Sequence, residues 1–180
     1  MRIGLLGGAF NPPHNGHLAI AQQILDFTDC NEVWFLPNYG QIPPKPVENV
    51  THRLAMTKLL RLPKTEVSTL EIDHKLDGDT INLIEHLPSG NEYRFIIGSD
   101  HTSPYHLWAK CDELLAKMPF LVFPRYGFPN EPLYPNMTMV TSDVLIGSNI
   151  SSTKIRKRVR LGLPVDQFVP KAVGDYIFAH

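Results

Sequence analysis

The chain has 180 residues, 43% apolar and 19% charged, with a formal net charge of −1. That size and balance suit one globular domain with a sizeable core, and they exclude a global basic field that would point to nucleic acid or an anionic membrane. Two cysteines far apart, Cys30 and Cys111, fit a reducing compartment better than a disulfide framework or a thiolate zinc site, and no apolar run has the length of a membrane span.

The first segment, "RIGLLGG" (Arg2–Gly8), is an apolar run closed by glycines, the pattern of a strand buried on both faces. Leu18, Ala21 and Leu25 recur at helical spacing, and Ile20, Ile24 and Phe27 widen that face, so a helix is predicted over Gly16–Thr28. "EVWFLP" (Glu32–Pro37) reads as a second buried strand. Asn38–Asn49 is a proline-rich loop, of a length that in compact domains often carries function. Thr51 is placed to cap a helix running to Arg61. Thr65–Asp73 mixes strand formers with polar residues and is read as an edge strand. Asp79 or Thr80 opens a helix through Leu87. "YRFIIGSD" (Tyr93–Asp100) is the clearest central strand. A helix over Pro104–Lys117 and a strand over Pro119–Arg125 follow, then a second proline-rich loop, Tyr126–Asn136, and a strand within Thr138–Gly147. Ser151–Gly162 is a helix with a serine cap and a glycine stop, and a last helix starts near Pro170.

Strands alternating with helices predict an α/β architecture with a mainly parallel sheet, one domain over residues 1–180, the helices from about residue 151 packing on the same core. In such sheets ligands bind beyond the carboxyl ends of the strands, where strand order reverses. That rule gathers Gly7–His17, the loop after Leu36, Gly98–Asp100 and the start of the Ser151 helix on one rim.

Within "GGAFNPPHNGH" (Gly7–His17), two imidazoles stand three residues apart at a helix mouth. The chain has no G-x-G-x-x-G after its first strand and no P-loop sequence. A metal site would need further ligands, and the other six histidines form no second close pair, so no protein metal site is expected. An isolated H-x-x-H is more often a turn feature. Here Gly7 and Gly8 remove side chains where a ligand could approach, and Gly16–His17 opens a helix whose unpaired N–H groups attract an anion. His14 and His17 beside that terminus make a phosphate cradle.

This segment resembles the H-x-G-H signature of the nucleotidyltransferase superfamily. "FIIGSD" (Phe95–Asp100) and "ISSTKIRKRV" (Ile150–Val159) resemble two further motifs of bacterial nicotinate-nucleotide adenylyltransferases. "THRLAM" (Thr51–Met56), Trp108 and "LVFPR" (Leu121–Arg125) fall in that family's order, so the resemblance spans nearly the whole chain. It implies a Rossmann-like, doubly wound fold and transfer of AMP from ATP to nicotinate mononucleotide, giving deamido-NAD and pyrophosphate. The attacking group would be a phosphate oxygen, largely ionised at neutral pH because its second pKa is about 6. No general base is needed, and the protein's work is alignment and charge stabilisation.

By resemblance, His14, His17 and Arg156 are the catalytic set. Gly7, Gly8, Ala9, Phe10, Lys45, Gly98, Asp100, Ser151, Ser152 and Thr153 are expected to bind ATP, with Asp100 holding ribose hydroxyls. Asn38, Thr80, Trp108 and Arg125 are expected to bind the acceptor, Trp108 as a platform for the pyridine ring. Mg²⁺ would be carried mainly by the ATP phosphates, and the partners would be small molecules, with neither nucleic acid nor membrane. Alternatives accompany several residues: a helix cap for Asp100, core packing for Trp108, a surface salt bridge for Arg125, and a surface lysine for Lys45. Lys157, Arg158 and Arg160 read as a solvated face, with Ile155 and Val159 as the buried stripe. Two segments depart from the family pattern. "PPKP" (residues 43–46) lacks the histidine of P-P-H-K, and "GDT" (Gly78–Thr80) replaces S-Y-T and adds Asp79 near a proposed anion site. Arg53 occupies a family position with no mechanism attached. A same-fold transferase using nicotinamide mononucleotide or another phosphorylated acceptor, and a non-catalytic nucleotide binder, are the other readings. The compartment expected is the cytoplasm.

Overall fold

Strand β1 (Arg2–Gly8) lies at the centre of a parallel sheet, hydrogen-bonded to β2 (Glu32–Pro37) on one side and β4 (Glu92–Gly98) on the other. The computed structural model describes residues 1–40, 46–131 and 133–180. Among these, β3 (Thr65–Val67), β5 (Phe120–Phe123) and β6 (Met137–Met139) complete a six-stranded, all-parallel sheet of order β3-β2-β1-β4-β5-β6. This is the doubly wound order, with its reversal between β1 and β4.

Both sheet faces are buried, which explains the continuous apolar runs. Ile3 and Leu5 of β1, with Phe95 and Ile97 of β4, face one core, which α4 (Thr80–Ile84) and α5 (Cys111–Lys117) cover with Ile81, Leu83, Leu114 and Leu115. Leu6, Phe35 and Ile96 face the other, under Ala21 and Ile24 of α1 (Asn15–Phe27). A third cluster joins Met56 of α2 (Val50–Thr57), Ile155 of α6 (Ser152–Arg160) and Val173 of α7 (Lys171–Ala179).

Four expectations are corrected. The segment Thr65–Asp73 is a strand only to Val67. Ser68 makes its last bond to the sheet, to Phe35 O, and Leu70–Asp73 then turns into α3, where Thr69 Oγ1 binds the Asp73 carboxylate at 2.6 Å. The helix over Pro104–Lys117 is broken. A 3-10 turn over Ser103–Leu107 ends at an extended Trp108, and a left-handed Lys110 precedes α5. The break lets the Trp108 ring fold back to 5.1 Å from Tyr105. The sixth strand is only Met137–Met139. Its partner β5 runs into Pro124, which has no N–H for the ladder, and Val144 and Ile146 are exposed beyond it. Finally, Asn49 rather than Thr51 caps α2, its side chain accepting the Thr51 N–H at 2.8 Å.

Candidate active site

The turn after β1 is folded so that the histidine pair caps α1. Phe10 takes a left-handed conformation (φ 47°) and is 1% exposed, anchoring the turn in the core. His14 occupies the N-cap, and its backbone N–H donates to His17 Nδ1 at 3.1 Å. The two rings stack at 3.7 Å, and Phe10 lies 4.6 Å from His17 on the ring-to-ring distance. Because Nδ1 of His17 accepts, a neutral His17 carries its proton on Nε2 and presents a donor there. Burial lowers the pKa of both imidazoles. For His14 burial and then the charge of Arg125 bring it to about 4. For His17 burial, His14 and Arg125 together hold it well below the ordinary value. His14 Nδ1 is buried without a hydrogen-bond partner among the described residues. A Cβ on Gly16 would lie 2.9 Å from that nitrogen, so any side chain there would push the His14 ring aside.

Helix α6 is fastened to the same turn. Ser151 caps it, accepting the Lys154 N–H at 3.3 Å. Ser152 Oγ donates to Pro12 O at 2.8 Å, and Arg156 Nη1 donates to Asn11 O at 2.6 Å while Nη2 reaches Thr153 Oγ1 at 3.3 Å. From the chain beyond α6, Phe168 O accepts the Asn15 N–H at 2.9 Å. Burial and then the nearby Arg160 lower the Arg156 pKa. Arg158 departs from its expected solvated role: its Nε donates to Pro164 O at 3.0 Å and its guanidinium lies 4.9 Å from the Phe168 ring. A cavity of about 270 Å³ opens beside Asn11 and Arg156, toward Met56 and Tyr176.

Beyond β4, Asp100 sits in a 3-10 turn (Ser99–His101) where its side chain caps no helix. Its Oδ2 lies 3.5 Å from Arg125 Nη1 and 3.8 Å from His101 Nε2, while Oδ1 is buried with no hydrogen-bond partner among the described residues. A Cβ on Gly98 would meet Asp100 Oδ1 and lie 2.6 Å from Arg125 Cδ, so the glycine makes room for this pair. Trp108 is half-buried, packing on Tyr105 and on the apolar cluster that contains Phe95 and Phe120. Gly7 faces the Phe95 ring, 3.1 Å from where a Cβ would stand, and Gly8 faces Phe10.

On the β2 side, Asn38 N donates to Gly8 O at 3.0 Å, and Asn38 Oδ1 is buried and unpartnered among the described residues. Thr80 is 9% exposed at the first turn of α4. Asp77 beside it accepts the Asp79 N–H and the Asn82 amide. Burial and then Asp77 raise the Asp79 pKa. Lys45 lies outside the described residues.

His14, His17, Ser152, Thr153 and Arg156 are therefore joined through one turn, and Arg125 links the histidines electrostatically to Asp100. Two residues went unassigned in the sequence. Arg53, in the middle of α2, is 1% exposed, and Glu71 of α3 is 6% exposed with one carboxylate oxygen unpartnered among the described residues. Arg53 stands one turn before Met56 and Thr57 on the buried face of its helix, a spacing that could have marked it. Glu71, between Leu70 and Ile72, carries no such signal. Among the described residues, no group of three or more His, Cys, Asp or Glu is arranged to hold a metal ion.

A family model described as cytidylyltransferase-like matches residues 5–158. A nicotinate-nucleotide adenylyltransferase of Bacillus subtilis (strain 168) is 36% identical over 185 residues, covering 98% of this chain and 95% of its own. A probable nicotinate-nucleotide adenylyltransferase of Bacillus licheniformis is 35% identical over 98% of this chain and 95% of its own. The Plasmodium falciparum nicotinic acid mononucleotide adenylyltransferase complexed with NaAD superposes with a TM-score of 0.83 at 20% identity, covering 99% of this chain and 95% of that one, a likeness of fold.

Proposed function

The chain belongs to the cytidylyltransferase-like family, and from that premise we propose that it transfers AMP from ATP to nicotinate mononucleotide. The observation that carries this reading is the shared anchoring of two distant segments. The α1 histidines and the α6 arginine converge on the Asn11–His14 turn, where a triphosphate would meet imidazole, guanidinium, hydroxyl and helix N-terminal donors together. The names of the relatives, matched over nearly the full length, support the acceptor.

In the reaction, an oxygen of the acceptor phosphate forms a bond to the α-phosphorus of ATP. The bond from that phosphorus to the α,β-bridging oxygen breaks, and pyrophosphate leaves with the electron pair. His17 Nε2–H donates to an α-phosphate oxygen as charge develops. Its neutrality follows from burial, so it acts as a hydrogen-bond donor and not as an acid. His14 orients His17 through the backbone bond and lies stacked against it beside the phosphates. Arg156, Ser152 and Thr153 hold the β- and γ-phosphates. The backbone of Gly7 through Phe10 receives the nucleotide, the Phe10 ring itself lying in the core, and the Asp100 carboxylate accepts ribose hydroxyls. Asn38, Thr80, Trp108 and Arg125 receive the acceptor. The donor set at the turn is imidazole and guanidinium, suited to phosphate oxygen and not to Mg²⁺, which takes oxygen ligands. Mg²⁺ would therefore ride on the phosphates and neutralise their charge. One domain carries all of this, in the cytoplasm.

A second reading rests on one observation. Asp77 and Asp79, next to Thr80 at the start of α4, put negative charge there, which favours a neutral carboxamide over a carboxylate. The test supplies ATP, Mg²⁺ and either nicotinate or nicotinamide mononucleotide and measures pyrophosphate and dinucleotide. The proposal expects the higher kcat/KM with nicotinate mononucleotide. A reversed preference supports the second reading, and no product with either removes both.

A further inference from the structure

The two halves of the proposed reaction are carried on the turn after β1 and the turn after β2, and one side chain is bonded to both. Arg53 projects from α2 with 1% exposure. Its Nη1 donates to Ala9 O at 2.8 Å, its Nη2 to Asn38 O at 2.8 Å, and its Nε to Glu48 O at 3.0 Å. The β1–β2 ladder ends at the pair Gly8 and Pro37, followed by one bond from Asn38 N to Gly8 O. Past that point the two backbones part, and the guanidinium continues the connection that the ladder no longer makes.

A buried guanidinium is costly unless its donors are met. Three carbonyls meet three of its five N–H donors here, and the Glu71 carboxyl, itself bonded to the Tyr39 N–H, lies nearby. These contacts bear on Asn38 and Tyr39 and on their distance from Ala9. A planar fork reaches three divergent carbonyls in a way that the point charge of lysine does not.

We propose that Arg53 is a positioning residue for adenylyl transfer, its guanidinium fixing the spacing between the ATP-binding turn at Ala9 and the acceptor-binding turn at Asn38. That spacing sets the distance from the attacking phosphate oxygen to the α-phosphorus. The inference rests on the adenylyltransferase reading above. A misplacement of about 1 Å between reacting groups is enough for a loss of about 10²-fold.

The test is Arg53→Lys, which keeps the charge and removes the fork. The expected result is a fall in kcat of about 10-fold or more, with both KM values changed less than about threefold and the variant still folded. Wild-type kcat per folded molecule, with only a lower Tm, is the mark of a purely structural role and overturns the proposal. An inactive wild type on nicotinate mononucleotide is a failure of the functional reading; an active wild type with an equally active lysine variant is a failure of this one. Should the lysine variant not fold, wild-type crystals with the product dinucleotide decide the matter. Arg53 bonded to both Ala9 O and Asn38 O in that complex supports the proposal, and loss of either bond overturns it.

Discussion

Arg156 on the late helix α6 donates to the backbone carbonyl of Asn11, 145 residues earlier in the chain, at 2.6 Å. The bond uses one guanidinium nitrogen and places the rest of the fork beside the helix mouth that the histidines cap. Arg156→Lys keeps the charge but cannot serve carbonyl and phosphate together. Its turnover is expected to fall about 10- to 100-fold, with the KM for ATP raised more than that for the acceptor. Steady-state kinetics against each substrate checks this, and an effect confined to the acceptor contradicts it.

His17 is held neutral with its proton on Nε2 by burial and by the His14 N–H. Replacing it with alanine removes one donor to the developing charge and should lower kcat about 10²-fold. Since the imidazole stays neutral, the rate should decline on the acid side where the acceptor phosphate protonates, near its second pKa of about 6. An acid limb that disappears in the His17→Ala variant would assign that limb to the histidine instead.

Two buried groups push stability in opposite directions with pH. His14 has its pKa lowered by burial, and secondarily by Arg125, from 6.5 to about 4. The unfolded chain binds a proton there first, so stability falls as pH drops from 6.5 toward 4, by about 3 kcal/mol for a shift of that size. Glu71 is raised from 4.5 to about 7, mainly by burial and then by Asp77. The unfolded chain loses that proton first, so this group's contribution falls as pH rises from 4.5 toward 7, again by about 3 kcal/mol. Urea unfolding across this range should show a steeper gain of stability with pH in Glu71→Gln than in the wild type. Parallel profiles would place the Glu71 carboxyl in water.

Trp108 packs on Tyr105 and on the apolar cluster around Phe95 and Phe120, yet remains half-buried. Losing a stacked aromatic platform costs about 1–3 kcal/mol per ring, which is about 10-fold or more in affinity. Trp108→Ala should raise the acceptor KM by about that factor and leave the KM for ATP nearly unchanged. Equal rises in both would mean that the ring serves packing alone.

The sheet was legible in the sequence where both faces are buried, because Ile3–Gly8, Val33–Pro37 and Phe95–Gly98 are continuous apolar runs. It was less legible at the edges. In Thr65–Asp73 and Thr138–Gly147 a partner lies on one side only, and its length, set by β2 or by Pro124, decides where the strand stops. The break at Trp108 was hidden for a related reason: the local helical pattern yields to the packing of one large ring. At the site, the histidines, Asp100 and the α6 motif were legible as motifs. Arg53 was not, since its role is defined by three backbone carbonyls, which no side-chain pattern reveals.

The most direct test of the account is a crystal structure of the protein with a non-hydrolysable ATP analogue. The account predicts one triphosphate bound at the Asn11–His17 turn, with His17 Nε2 on its α-phosphate and the Arg156 guanidinium on its β- or γ-phosphate. An analogue bound elsewhere, or one that touches His17 while Arg156 faces a separate surface, would contradict it.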